Sequence, residues 1–217
     1  MGPLSDELLT AGIHEAFVAF LNGYSRWGGW QYPGWGAGTE DAFKGPLIWS
    51  EADCVFRFAL ELERLFPDQI HHEVKINSDT RSDFNRKREK NREIDIVIAD
   101  MSSFPGGQPA RHAFRSWQYD AFIEGKYFGK GSLKGRWKFK GREQVRSVQS
   151  DFKRLAEHRA LGRCRVAAVL VVDDDGRYEE YAKGIERPDG VIELVACKKE
   201  LIARGLIDGR DPGMAES

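Results

Sequence analysis

Cysteine is scarce in this chain of 217 residues: Cys54, Cys164 and Cys197 are scattered and odd in number. That pattern suits reduced thiols and argues against a disulfide framework. Histidine is almost as sparse, and none of His14, His71, His72, His112 and His158 stands at a zinc-ligand spacing from a partner. The neighbours His71 and His72 would face opposite ways on a strand. Long apolar runs are missing, with no stretch near the roughly 18–20 residues that a spanning helix needs, so no membrane partner is expected. The N-terminus has no basic-then-apolar leader pattern, and the expected location is the cytoplasm.

Net charge is nearly absent as well, at −1, but the balance hides a strong segregation. Between Thr80 and Arg92, Arg81, Arg86, Lys87, Arg88, Lys90 and Arg92 face only Asp83 and Glu89. From Lys126 to Arg142 there are Lys126, Lys130, Lys134, Arg136, Lys138, Lys140 and Arg142 and no acid. Asp173 to Glu193 is the reverse, with acids in excess, and is read as a solvated surface. Such local polarity bears on nucleic-acid binding even where the whole-chain pI does not. Hydrophobic residues at 41% and charged residues at 31% mark a globular chain, and its length suits one domain with one good core.

Periodicity predicts the elements. Leu9, Ile13, Phe17 and Phe20 recur at helical spacing over Ser5–Leu21, with Gly23 placed to end that helix. Gly23–Gly38 is rich in Gly and aromatic residues, read as a loop whose rings fold back on the domain. Ser50–Phe66 is the strongest helix, with a Val55, Phe58, Leu62 and Leu65 stripe that also carries Glu51 in its first turn. Ser50 with Asp53 resembles a capping box. Strands follow at Ile70–Ile76, around Glu93–Ile98 and over Tyr119–Tyr127, the last two separated by a long Pro/Gly-containing excursion. Glu143–Arg159 is a second amphipathic helix, and the β-branched run Arg165–Val172 reads as a strand buried on both faces. A short strand at Val191–Val195 and a small helix near Lys198–Arg204 close the chain.

Acids interrupt the apolar strands at a few places. Asp95 lies inside Glu93-Ile94-Asp95-Ile96-Val97-Ile98, and Glu124-Gly125-Lys126 sits inside the Tyr119–Tyr127 strand. If these strands pair, Asp95 stands beside Glu124 and Lys126 at the end of a sheet, with two hard carboxylates and an ammonium converging. Glu73-Val74-Lys75 is a decoy of the same form. The segment from Asp68 to Glu73 is too short to bring Asp68 onto a paired strand, so Glu73 and Lys75 read as a solvated sheet face.

In the order helix, strand, strand, strand, helix, strand, these residues resemble the PD-(D/E)XK nuclease superfamily. The resemblance covers roughly residues 49–172 and implies an α/β, restriction-endonuclease-like core with a central mixed sheet flanked by helices. Residues 1–48 would pack on it as an N-terminal helix and loop, and 173–217 would be an acidic extension of the same domain. The sequence departs from the family in having no proline before Asp95 and a glycine at the middle of the triplet.

The resemblance implies a phosphodiester hydrolase acting on nucleic acid, DNA ahead of RNA, with Mg²⁺ or Mn²⁺ as cofactor. Asp95, Glu124 and the Gly125 carbonyl would hold the metal, with Glu51 helping through water. Lys126 would orient or deprotonate the attacking water, or stabilise the charge that develops on the phosphate. Gln149 and Lys153 are candidate helix-borne auxiliaries. Arg81, Arg86, Lys87, Arg88, Lys130, Lys134, Arg136 and Lys138 are the candidate phosphate contacts. Cutting both strands of a duplex leaves room for a homodimer or a partner protein. Three competing readings stay open: an idle nucleic-acid-binding or assembly subunit, a two-carboxylate hydrolase of small molecules or carbohydrates, and a plain cross-strand salt bridge.

Overall fold

The computed structural model describes residues 4–26, 51–76, 92–99, 119–128, 141–173 and 177–206. Within them one mixed sheet runs in chain order through β1 (Ile70–Ile76), β2 (Arg92–Ile98), β3 (Tyr119–Phe128), β4 (Cys164–Asp173) and β5 (Val191–Cys197). The first three strands are antiparallel neighbours, whereas β3–β4 and β4–β5 are parallel. A parallel pair needs a crossover, and α3 (Gly141–Ala160) supplies it between β3 and β4.

The sheet is covered on both faces, and β4 shows why its sequence is so apolar. Val166, Ala168, Leu170 and Val172 pack in one cluster with residues of α1 (Asp6–Arg26) and α2 (Glu51–Leu65). Ala167, Val169 and Val171, pointing the other way, pack with Val148, Phe152 and Leu155 of α3. A strand buried on both faces has no solvated side to carry polar residues. Phe20 of α1 and Phe58 of α2 meet edge to face at 5.8 Å, an arrangement worth about 0.5–1.5 kcal/mol beyond the area buried.

Two expectations change here. The first helix does not stop at Gly23 but runs to Arg26. Leu21 and Tyr24 are fully buried, and Tyr24 stacks on Phe20 at 5.9 Å. That packing outweighs the roughly 1 kcal/mol a mid-helix glycine costs.

The short strand expected at Val191–Val195 is β5, which pairs with β4 from Ala167↔Val191 to Asp173↔Cys197.

The acidic stretch is not simply solvated. Asp173 is fully buried, and its Oδ2 accepts from the backbone N–H groups of Tyr178 (3.0 Å) and Glu179 (3.3 Å) in α4 (Arg177–Tyr181). Glu193 accepts from the Tyr178 hydroxyl at 2.6 Å and from Arg187 Nε at 2.7 Å. A short 3₁₀ turn (Ala182–Gly184) precedes β5, and α5 (Lys198–Ala203) follows it. Ser50, residues 27–49 and 100–118, and the basic segments 77–91 and 129–140 lie outside the described residues.

Candidate active site

The register of β2 and β3 decides where the acids meet. Paired positions run Ile98↔Ala121, Val97↔Phe122 and Ile96↔Ile123, and end there. The next residues are Asp95 on β2 and Glu124 on β3. Past that point Asp95 itself takes over from the ladder: the Gly125 N–H donates to Asp95 Oδ2 at 2.8 Å. On its other side β3 stays in register with β4 through Glu124↔Val169, Gly125↔Leu170 and Lys126↔Val171. The triplet is therefore anchored along one edge and opens toward Asp95 on the other.

A backbone irregularity on β1 accompanies this opening. Glu73 has φ of 50°, and the β1–β2 register passes from His72↔Ile96 to Val74↔Ile94 across the unpaired Glu73 and Asp95 positions. Ile96 and Ile98 face α1 and α2, whereas Ile94 joins Val97 in the α3-side cluster. Strict alternation breaks at Asp95.

The glycine at the middle of the triplet has a packing reason. A Cβ on Gly125 would overlap Val55 Cγ2 of α2 and stand 3.7 Å from Asp95 Oδ2. Only a residue without a side chain lets α2 approach this closely.

Two side chains of α3 reach the same place. Glu124 is 2% exposed and pairs with Arg154, whose Nη2 also donates to Asp151 Oδ1 at 2.8 Å. Asp151 Oδ2 lies 3.4 Å from Lys126 Nζ. That ammonium donates in turn to Glu51 Oε1 at 3.0 Å and to the Gly125 carbonyl at 2.8 Å. The result is a chain in which acidic and basic side chains alternate: Glu124, Arg154, Asp151, Lys126, Glu51.

Burial, then the nearby Asp95 and Asp151 charges, push the Glu124 carboxyl up to about 9, while Arg154 and Lys126 pull it down. Burial likewise raises Glu51 and Asp151 against the pull of Lys126. Burial disfavours the Lys126 ammonium, but Asp151 and Glu51 more than offset it and hold the group above the usual lysine value.

Among the described residues no three His, Cys, Asp or Glu side chains form a ready-made metal cage. The donors nonetheless fit a hard divalent ion, which is ordinarily held by one or two carboxylates and keeps several waters. The buried Glu124 Oε1 and Asp151 Oδ2 have ionic neighbours but no hydrogen bond. A divalent cation beside Glu124 would favour its ionised form.

The chain matches no family model, no curated protein and no solved structure.

Of the residues singled out by sequence, Asp95, Glu124, Gly125, Lys126 and Glu51 are brought together. Gln149 and Lys153 are not. Gln149 exchanges two hydrogen bonds with the backbone of Glu186, at 3.0 and 2.7 Å, and Lys153 Nζ lies 3.6 Å from the Glu186 carboxylate. Both brace the segment before β5, because they sit on the flank of α3 that faces that segment. The inward stripe Val148, Phe152 and Leu155 instead carries Asp151, and Arg154 stands one turn from it. An acid at i+3 on an apolar stripe was the available signal. The decoy Glu73 is exposed. The candidate phosphate contacts Arg81, Arg86, Lys87, Arg88, Lys130, Lys134, Arg136 and Lys138 lie outside the described residues.

Proposed function

We propose that this chain is a metal-dependent nuclease with a PD-(D/E)XK-type site on a restriction-endonuclease-like core, acting on DNA ahead of RNA. The observation that carries the reading is the Gly125 N–H to Asp95 Oδ2 bond at 2.8 Å. It ties an acid from one strand to the middle of an acid-x-lysine triplet on the next, where the two strands separate. The element order α2-β1-β2-β3-α3-β4 supports the fold assignment.

In this reading Asp95 and Glu124, with the Gly125 carbonyl, hold Mg²⁺ or Mn²⁺, and Glu51 contributes through water. When bound, the ion would polarise the phosphate and acidify a water molecule. Lys126 places positive charge where the phosphoryl oxygens become more negative, which is worth most in a partly desolvated site.

The test is cleavage of supercoiled, linear duplex and single-stranded DNA with Mg²⁺, with Mn²⁺ and with EDTA. Wild type should cut only with metal, and Asp95→Ala and Lys126→Ala should each lose about 10²-fold or more in rate. Cutting that survives EDTA or both substitutions would remove the site from consideration. Metal-independent binding without any cutting would favour the idle-subunit reading.

A further inference from the structure

Lys126 touches two helices that cover opposite faces of the sheet. Glu51 belongs to the first turn of α2, on the α1 side, and Asp151 to the middle of α3, on the other. The ammonium lies between them, 3.0 Å from Glu51 Oε1 and 3.4 Å from Asp151 Oδ2, and it also donates to the Gly125 carbonyl at 2.8 Å. An ammonium has three protons and no lone pair; here it donates to two acceptors and keeps the Asp151 carboxylate as an ionic neighbour.

We propose that Asp151 is a positioning residue of the site, clamping Lys126 together with Glu51 so that the lysine is held as a fixed cation. The proposal rests on the nuclease reading only for what the cation does; the clamp itself is a property of the free protein.

The asymmetry of the clamp supports this division of labour. The Asp151 side chain is 7% exposed and is fixed from its other oxygen by Arg154, whereas the Glu51 side chain is 47% exposed. Asp151 is thus the rigid jaw and Glu51 the solvent-facing one. A four-carbon lysine stem has considerable rotamer freedom to lose, and without a jaw its charge spreads over many positions. Precise placement of charge contributes to rate only if it is already in place when the transition state forms.

Lysine reactivity reads the clamp without turnover. Reductive methylation with formaldehyde and a borohydride, followed by mass spectrometry, should find Lys126 protected in wild type relative to the exposed Lys153 and Lys199. Asp151→Asn should raise its labelling rate several-fold at unchanged rates for those two lysines. Glu51→Gln, at the outer jaw, should raise it less, and it keeps the clamp testable if the buried substitution prevents folding. In cleavage assays Asp151→Asn should lower kcat about tenfold with KM within twofold, and Asp151→Glu should recover part of the loss.

Unchanged Lys126 labelling in both Asp151→Asn and Glu51→Gln overturns the clamp, whatever the activity. Increased labelling in a protein that cuts no nucleic acid keeps the clamp and overturns the nuclease reading. A KM effect in place of a kcat effect would overturn the fixed-cation role.

Discussion

Glu124 carries the largest electrostatic consequence of any single residue in the site. Its carboxyl is raised from 4.5 to about 9, by burial first and then by Asp95. In the folded state it therefore keeps a proton that the unfolded chain gives up near 4.5. Between those values the folded state binds more protons, so raising the pH draws the equilibrium toward the unfolded chain. The stabilising contribution is fully present below 4.5 and is lost as pH rises to about 9. One such proton gives a slope of up to about 1.4 kcal/mol per pH unit. We expect metal-free Glu124→Gln, followed by urea denaturation in chelator from pH 5 to 8, to show a shallower fall of stability than wild type. An equal slope in both would mean that Glu124 titrates as an exposed acid does. The sequence made this residue visible because an acid interrupting an apolar strand is costly unless partnered. It did not reveal the partner. Asp151 falls on the apolar stripe of its helix, three residues after Val148, but nothing in the sequence says that this stripe brings Asp151 and Arg154 onto the Glu124–Lys126 end of β3.

Among the elements, β1 shows how local geometry escapes a sequence reading. Alternation marks Ile70–Ile76 as a strand with the right ends, and that holds. Nothing in the pattern announces that Glu73 adopts φ of 50°, because a glutamate there has no intrinsic reason to do so. Opposite it on β2, Asp95 is likewise outside the ladder and accepts from the Gly125 N–H. A positive φ costs about 1–3 kcal/mol for a residue with a Cβ. Glycine would remove that cost while adding chain entropy to the unfolded state. Glu73→Gly is accordingly expected to be neutral or mildly stabilising in urea denaturation, within about 1 kcal/mol. Glu73→Val, a better strand former elsewhere, should destabilise by about 1–3 kcal/mol through β-branching at positive φ. If valine were the more stable of the two, the positive φ would not be required and β1 could run regularly past Asp95. The same logic explains Gly23. Glycine is read as a helix end from sequence, but burial of Leu21 and Tyr24 on α1 carries the helix through it.

At the scale of the whole molecule, the order of helices and strands was legible because each has a strong period, while the joining of β5 to the sheet was not. Val191–Val195 is too short and too mixed to announce a partner, and its place beside β4 depends on the parallel pairing that Asp173↔Cys197 completes. Charge is the remaining whole-molecule property, and it can be tested independently of catalysis. A chain of net charge −1 gains nothing from non-specific attraction to a polyanion unless its cations are gathered. Each phosphate neutralised on duplex DNA releases counterions and steepens the salt dependence of log K by about 0.9. Replacing Arg86, Lys87 and Arg88 together with alanine should therefore flatten the slope of log K against log salt by up to about 3 if all three contact phosphate. Lys153→Ala with Lys199→Ala, which removes cations engaged with Glu186 and Glu179, serves as the control and should leave the slope unchanged. Fluorescence anisotropy in EDTA measures both without cleavage. Equal slopes in wild type and the triple variant would show that Thr80–Arg92 is a solvated loop, and the binding surface would then be sought in the stretch after Lys126. A flattened slope with affinity otherwise independent of sequence would mean that this segment holds the phosphate backbone and leaves any choice of cutting site to other residues.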